Sequence, residues 1–212
     1  MLSERVRCES TDLSVPSNSS PARKVIKETM SLKVALMRSV VINGQRVKMA
    51  DARALVESVG GTAVQSVIAT GNLVFRSDEG TSVLEKMLEA ECSAFYGRPT
   101  EMVVKTADQW SALLAANPFP EEAARIPSRL LVWAMREPIP NVGIVQLRQR
   151  AIGNERIERT PGGDFYVWFG ETPISESRIP SGFALKFLGA VGTNRNWSTA
   201  LKIAGAFEAM SR

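Results

Sequence analysis

The chain has 212 residues, 44% of them hydrophobic and 23% charged, with a formal net charge of +4 and no histidine. That balance belongs to a globular protein of one generous domain or two compact units, neither disordered throughout nor fibrous. The missing histidine excludes imidazole general bases, Ser-His-Asp and Cys-His machinery and imidazole metal sites, and Cys8 and Cys92 cannot make a thiolate cluster or a disulfide framework.

Residues 1–30 differ from all that follows. Ser3, Ser10, Ser14, Ser17, Ser19 and Ser20, with Pro16 and Pro21, leave no periodic apolar face. The segment reads as a disordered tail that cannot bury enough surface to offset its ordering entropy. It holds no apolar core for a secretory signal, and Met30, directly before the first strand-like run, reads as the natural start. No stretch approaches the roughly 18 uninterrupted apolar residues of a membrane span, so no membrane partner and a reducing cytoplasm are expected.

Leu32–Arg38 predicts a strand, and a turn-rich segment around Asn43-Gly44 follows. Met49, Ala52, Leu55, Val56 and Val59 fall at helical spacing, ended by Gly60-Gly61. Val64–Ile68 and Leu73–Arg76 are β-prone runs about the tight turn Ala69-Thr-Gly-Asn72. Leu84, Leu88, Cys92 and Phe95 mark a second amphipathic helix, and Glu101–Lys105 another strand. The order is β-α-β-β-α-β, the ferredoxin-like pattern. Thr106-x-x-Gln109 reads as a capping box opening a helix that Asn117-Pro-Phe-Pro120 ends, and Glu121–Ser128 reads as a connection.

The order then begins again. Leu130–Arg136 is a strand apolar on both faces, Asn141–Ala151 a helix, and Arg156–Thr160 and Phe165–Phe169 are strands about Pro161-Gly-Gly163. A loop at Glu171–Ser177, a helix around Ser181–Leu188 and a last amphipathic helix on Trp197, Leu201, Ala204 and Phe207 complete the chain. The expected fold is α+β: two ferredoxin-like subdomains, 31–120 and 121–212, the second with a C-terminal helix, behind the disordered tail.

Five fragments, taken in order and spacing, resemble the bacterial domain-of-unknown-function family numbered 1697 across residues 31–212. They are Val34-Ala-Leu-Met-Arg38, Val47-Lys-Met-Ala-Asp51, Thr70-Gly-Asn-Leu-Val-Phe75, Ala115-Ala-Asn-Pro-Phe119 and Asn194-Arg-Asn-Trp-Ser-Thr199. The resemblance implies a pair of ferredoxin-like subdomains and no particular activity. The family pattern after the strand arginine is Gly-Ile-Asn, a hydrophobic residue and Gly-Gly, where this chain has the shorter Ser39-Val-Val-Ile-Asn43-Gly44. Its Gln-Ser-Gly-Asn turn is here Ala69-Thr-Gly-Asn72, and its Arg-Ser-Lys-like segment is Ser175-Glu-Ser-Arg178. A ligand site shared within the family would be altered in this member.

Six residues carry candidate chemistry. Arg38 ends a buried-looking strand beside a loop, where a guanidinium could fork onto a phosphate or carboxylate, or simply pair with a neighbouring acid. Asn196 and Arg195 precede the last helix, as a cap or as an anion cradle. Asn72 follows Gly71 in a turn whose geometry alone explains both residues, unless folding sets Asn72 beside Arg38. Ser177 and Arg178 occupy a polar loop, and a serine nucleophile there would need Lys186 or a carboxylate as its base. The Phe165-Tyr-Val-Trp-Phe169 strand resembles a base-stacking platform in composition only, since Asp164 stands where a cation would help, and two-sided burial explains it better. Cys92 lies on an apolar stripe and reads as an inert buried thiol.

No Walker loop, dinucleotide fingerprint or Asp-rich metal loop is present, so neither cofactor nor metal is expected. The leading expectation is an anionic ligand, a phosphorylated metabolite or nucleic acid, held near Arg38, Asn72, Arg195, Asn196, Arg178 and Ser177. A metal-independent enzyme built on Arg, Lys, Ser and carboxylate groups, or a protein-interaction module using a sheet face or edge, are the alternatives.

Overall fold

Leu32–Met37, apolar on both faces at every position but Lys33, suits an inner strand with both faces covered. It forms β1 (Ser31–Met37) in a computed structural model that describes residues 30–179 and 189–212. The segment read as turn-rich is a small hairpin, β2 (Val41–Ile42) and β3 (Gln45–Arg46). Asn43 and Gly44 make its turn with φ of 50° and 73°, the left-handed conformation that a two-residue hairpin turn demands. Helix α1 (Met49–Ser58) buries Ala52, Leu55 and Val56. The hairpin β4 (Thr62–Ser66) and β5 (Asn72–Ser77), helix α2 (Thr81–Tyr96) and strand β6 (Met102–Thr106) follow. The sheet order is β4-β5-β1-β6, antiparallel at every pairing. On α2, Leu84, Leu88 and Cys92 are buried as the spacing requires, but Phe95 is exposed and meets Tyr96 edge to face.

Thr106 caps helix α3 (Ala107–Ala115) with the full reciprocal box, its hydroxyl accepting from Gln109 N and its own N–H donating to Gln109. The stretch expected to be a plain connection is instead helix α4 (Pro120–Arg125) and a 3-10 turn at Pro127–Arg129. Pro120 supplies the preset first-turn φ, Glu121 and Glu122 suit the positive end of the helix dipole, and Ala123 is buried.

The second series is β7 (Leu130–Met135), α5 (Asn141–Arg148), β8 (Arg156–Arg159), β9 (Phe165–Trp168) and β10 (Gly192–Asn196), followed by α6 (Trp197–Ser211). Its sheet order is β10-β7-β9-β8, again antiparallel. The expected helix over Ser181–Leu188 and the tail, residues 1–29, lie outside the described residues. All four residues of β9 are buried, with Phe165 stacked on Trp133 at 5.2 Å and the Tyr166 hydroxyl donating to Leu113 O at 2.8 Å, so no aromatic platform is open to solvent there.

Three apolar layers result. Ala35, Met37, Leu73, Phe75 and Val104 face α1 and α2 on one side of the first sheet. Trp133, Met135, Phe165 and Val167 face α5 on one side of the second. The two remaining faces look at each other across α3 and α6, through Val34, Leu36, Val132, Tyr166, Trp110, Ile203 and Phe207. This shared layer makes the two sheets one packed body.

The sheets also match position by position. β1 ends on Met37-Arg38 and β7 on Met135-Arg136. Gly71 (φ 73°) precedes Asn72, and Gly163 (φ 89°) precedes Asp164, at the same place in each sheet. Lys33 pairs with Thr106, and Leu131 pairs with Asn196, the two residues that cap α3 and α6.

Gly163→Ala tests this turn. A Cβ there would stand 2.6 Å from Pro138 Cα, a backbone atom that cannot swing away, and would add left-handed strain. Thermal unfolding should show a loss of about 2 kcal/mol or more. An unchanged midpoint would contradict the close approach.

Candidate functional site

The ends of β1 and β5 bring the sequence-predicted residues partly together. Asn72, fully buried, opens β5 opposite Leu36. Arg195, from β10, crosses to the same place. Its Nε donates to Asn72 Oδ1, Nη1 to Thr193 Oγ1 (2.9 Å) and Asn194 O (2.6 Å), and Nη2 to Met37 O (2.9 Å) and Gly71 O (3.3 Å). These bonds use every N–H of the guanidinium. Burial lowers the Arg195 pKa to about 10, still far above neutrality, so the side chain is a cation surrounded by oxygen dipoles. Asn72 is occupied on both sides of its amide, since Nδ2 donates to Val67 O (2.9 Å) and Thr70 Oγ1 (3.0 Å).

Arg38 follows Met37, whose carbonyl Arg195 holds, so the three residues do converge on one strand end. The Arg38 guanidinium is ion-paired with Glu101, and the Arg38 backbone N–H donates to Glu101 O at 3.1 Å. Asn196 accepts from Thr199 N at 2.9 Å and caps α6. Ser177 and Arg178 sit in a separate loop, where the Ser177 hydroxyl accepts from Ile179 N at 3.1 Å and Arg178 is exposed. Cys92 is fully buried, and burial pushes its thiol pKa up, which keeps it protonated and unreactive.

The counterpart of Arg195 in the first half is Lys105, which also precedes a helix cap. Its Nζ crosses to Asp164 at 2.9 and 3.2 Å. Asp164 in turn accepts from Met135 N at 2.7 Å. A third cross-sheet contact comes from Arg136, which donates to Met102 O and pairs with Glu89 and, at 3.3 Å, with Glu85. The same carboxylates serve the outward N–H groups of β6, Glu89 accepting from Met102 N (3.0 Å) and Glu85 from Val104 N (2.9 Å). With Gln109 on Thr106 N, side chains close the free edge of this strand against pairing with another.

Sequence reasoning missed a basic corner beside this strand end. Arg46 on β3 donates to Ala69 O (3.1 Å) in the β4–β5 loop, and Arg53 on α1 donates to Ser66 Oγ (3.2 Å) at the end of β4. Lys48, exposed between them, precedes α1 and provides no side-chain cap for it. Among the described residues, none of these three cations is paired with a carboxylate. The alternation Arg46-Val-Lys48, with Val47 buried between two exposed cations, was the available signal. No group of acidic or cysteine side chains among the described residues could hold a metal ion.

A family model described as a protein of unknown function, DUF1697, matches residues 30–166. The chain belongs to that family. A conserved bacterial protein of the same architecture, SP0830 from Streptococcus pneumoniae, is 23% identical, with a TM-score of 0.66 over 84% of this chain and 99% of that one. This likeness is one of fold. No curated protein matches the chain. No helix among the described residues is long and apolar enough to cross a membrane.

Two substitutions test the polar framework. Asn72→Asp would set a carboxylate against Arg195 but abolish both Nδ2 donations, so urea unfolding should show a loss of about 2 kcal/mol. A more stable variant would mean that the ion pair outweighs the donors. Burial raises the Glu85 pKa, against the opposing pull of Val104 N–H and Arg136. Between the ordinary carboxylate value and the raised one, the folded state binds more protons than the unfolded state. Glu85 therefore contributes stability at low pH that is lost as pH rises through its folded pKa. Urea midpoints between about pH 4 and 8 should fall in the wild type relative to Glu85→Gln. The opposite slope would refute the burial argument.

Proposed function

We propose that this protein binds an anionic, phosphate-bearing ligand at the corner formed by the β2–β3 hairpin, the start of α1 and the β4–β5 loop. The observation that carries the reading is the set Arg46, Lys48 and Arg53, three cations of which two bond neutral oxygens of the β4–β5 hairpin and none is ion-paired with a carboxylate among the described residues, Asp51 being the one acid on the first turn of α1. Opposite charges near such a group are favoured, and arginine forks suit phosphate oxygens. The uncapped α1 leaves first-turn N–H groups at the same corner, where a helix dipole favours negative charge. Arg38, Asn72 and Arg195 enter this reading as the support beneath the corner, with their polar groups engaged by protein, and Asn196, Ser177 and Arg178 as residues of other loops.

The reading takes the architecture as two ferredoxin-like units, 31–120 and 121–212. The strand order, in which the first and third strands are inner in each sheet, supports that division. The ligand class remains that of a phosphorylated metabolite or a nucleic acid, and the two separate by salt. A duplex or single strand that engages several cations loses affinity steeply as salt rises, whereas a compact phosphate loses less.

Calorimetric titration with inorganic pyrophosphate and with a short single-stranded RNA tests the proposal directly. Wild type should bind at least one of them, and Arg46→Ala with Lys48→Ala should weaken that binding by about tenfold or more. A wild type that binds neither probe, or a double variant that binds as the wild type does, would dismiss the corner.

A further inference from the structure

The two halves hold each other by the same device used twice. The last strand of each half sends a cation, immediately before a helix cap, into the other half. Arg195 of β10 grips Asn72, Gly71 O and Met37 O, the outlet of β1. Lys105 of β6 grips Asp164, which itself holds Met135 N, the outlet of β7. Both acceptors directly follow a left-handed glycine, Gly71 or Gly163. The pattern is that of an isologous interface within one chain, where contact i to j is answered by contact j to i.

We propose that these two latches are a conformational device coupling the outlet of β1 to the outlet of β7, so that loosening either strand end loosens the other. Three observations carry it. Each latch joins side chains of one half to the backbone end of the other half's inner strand, so neither end can move without its partner's last strand. The strands that bear the latches, β6 and β10, lie against each other. From them lead the two helices of the shared layer, α3 and α6, which start directly after Lys105-Thr106 and Arg195-Asn196 and are tied by the Trp110 indole donating to Ala200 O at 3.1 Å. Well-packed elements of this kind move between discrete arrangements and are not deformed piecemeal.

The chemistry of the two latches differs. Lys105 and Asp164 form a part-buried ion pair, whereas Arg195 spreads its charge over one amide and four other oxygens. Charge can therefore be removed from the first latch without touching the second.

Amide hydrogen exchange on the full chain, read by NMR at Met37 and Met135, tests the coupling, with Leu88 of α2 and Leu147 of α5 as references. Lys105→Met should speed exchange at Met135 and, by about tenfold, at Met37, which it does not touch. Arg195→Lys, which keeps the charge and loses the fork, should speed Met37 and also Met135. Leu88 and Leu147 should change much less. Acceleration confined to the outlet that each mutated residue contacts would overturn the coupling. Equal acceleration at the reference amides would also overturn it, since that reports global destabilisation. Either variant alone decides the question if the other fails to fold.

Discussion

A buried guanidinium is costly to leave unsatisfied, and Arg195 must find oxygen for all five of its N–H groups without a carboxylate to help. It finds two of them within its own strand region, at Thr193 and Asn194, and three in the other half, at Asn72, Met37 and Gly71. That requirement sets the distance and orientation between β10 and the outlet of β1. It also explains why Asn72 is an amide: only a group that accepts from Arg195 while donating to Val67 O and Thr70 can serve both sides. An aspartate would meet the cation but abandon the turn. At the equivalent place in the second half the neighbouring demand is different, because Met135 N and Lys105 both donate, and there the residue is Asp164.

The same economy governs the free edge of β6. An edge strand exposes unpaired N–H groups that invite another strand. Here Glu89, Glu85 and Gln109 accept from Met102, Val104 and Thr106 in turn, and Arg136 occupies Met102 O. Arg136 then offsets the charge of the two glutamates, so the edge cap and the contact between halves are one cluster. Glu85 carries the cost: burial disfavours its ionised form even with Val104 and Arg136 beside it. A β-augmentation surface on this edge is therefore closed, and the interaction-module reading loses one of the two edges of the first sheet.

Elements with strong local chemistry were legible in the sequence. The Thr106–Gln109 box, the Gly60 stop and the apolar runs of β1, β7 and β9 follow from spacing alone. Strand β10 was not, because Gly-Thr-Asn-Arg-Asn has little strand propensity and owes its conformation to pairing with β7. The β2–β3 hairpin was visible only as Asn43-Gly44, its strands being too short to show an alternation. Helix α4 was hidden by the prolines around it, although Pro120 at its first position is itself a helix-start signal. Phe95 matched the stripe of α2 by count but lies past its last buried turn. For the site, the residues that stood out as arginine and asparagine at strand ends did converge, yet a sequence cannot show that their donors are already spent on main-chain oxygens. Arg46, Lys48 and Arg53 looked ordinary because nothing local distinguishes a solvated cation from one whose neighbours are also cations.

The absence of histidine takes its meaning from this distinction. Near neutral pH the chain has few groups able to exchange a proton, and Arg195 stays charged even after burial lowers its pKa. Fixed charge suits holding an anion or holding a fold, and the arginines fall into two structural sets. Those that penetrate the body, Arg195 and Arg136, spend their donors on protein oxygens, most of them in the opposite half. Those on the hairpin and α1 meet only neutral oxygens and keep donors toward solvent. Because Arg195 anchors the outlet of β1, from which that hairpin springs, the geometry of the basic corner is set from the other half of the molecule.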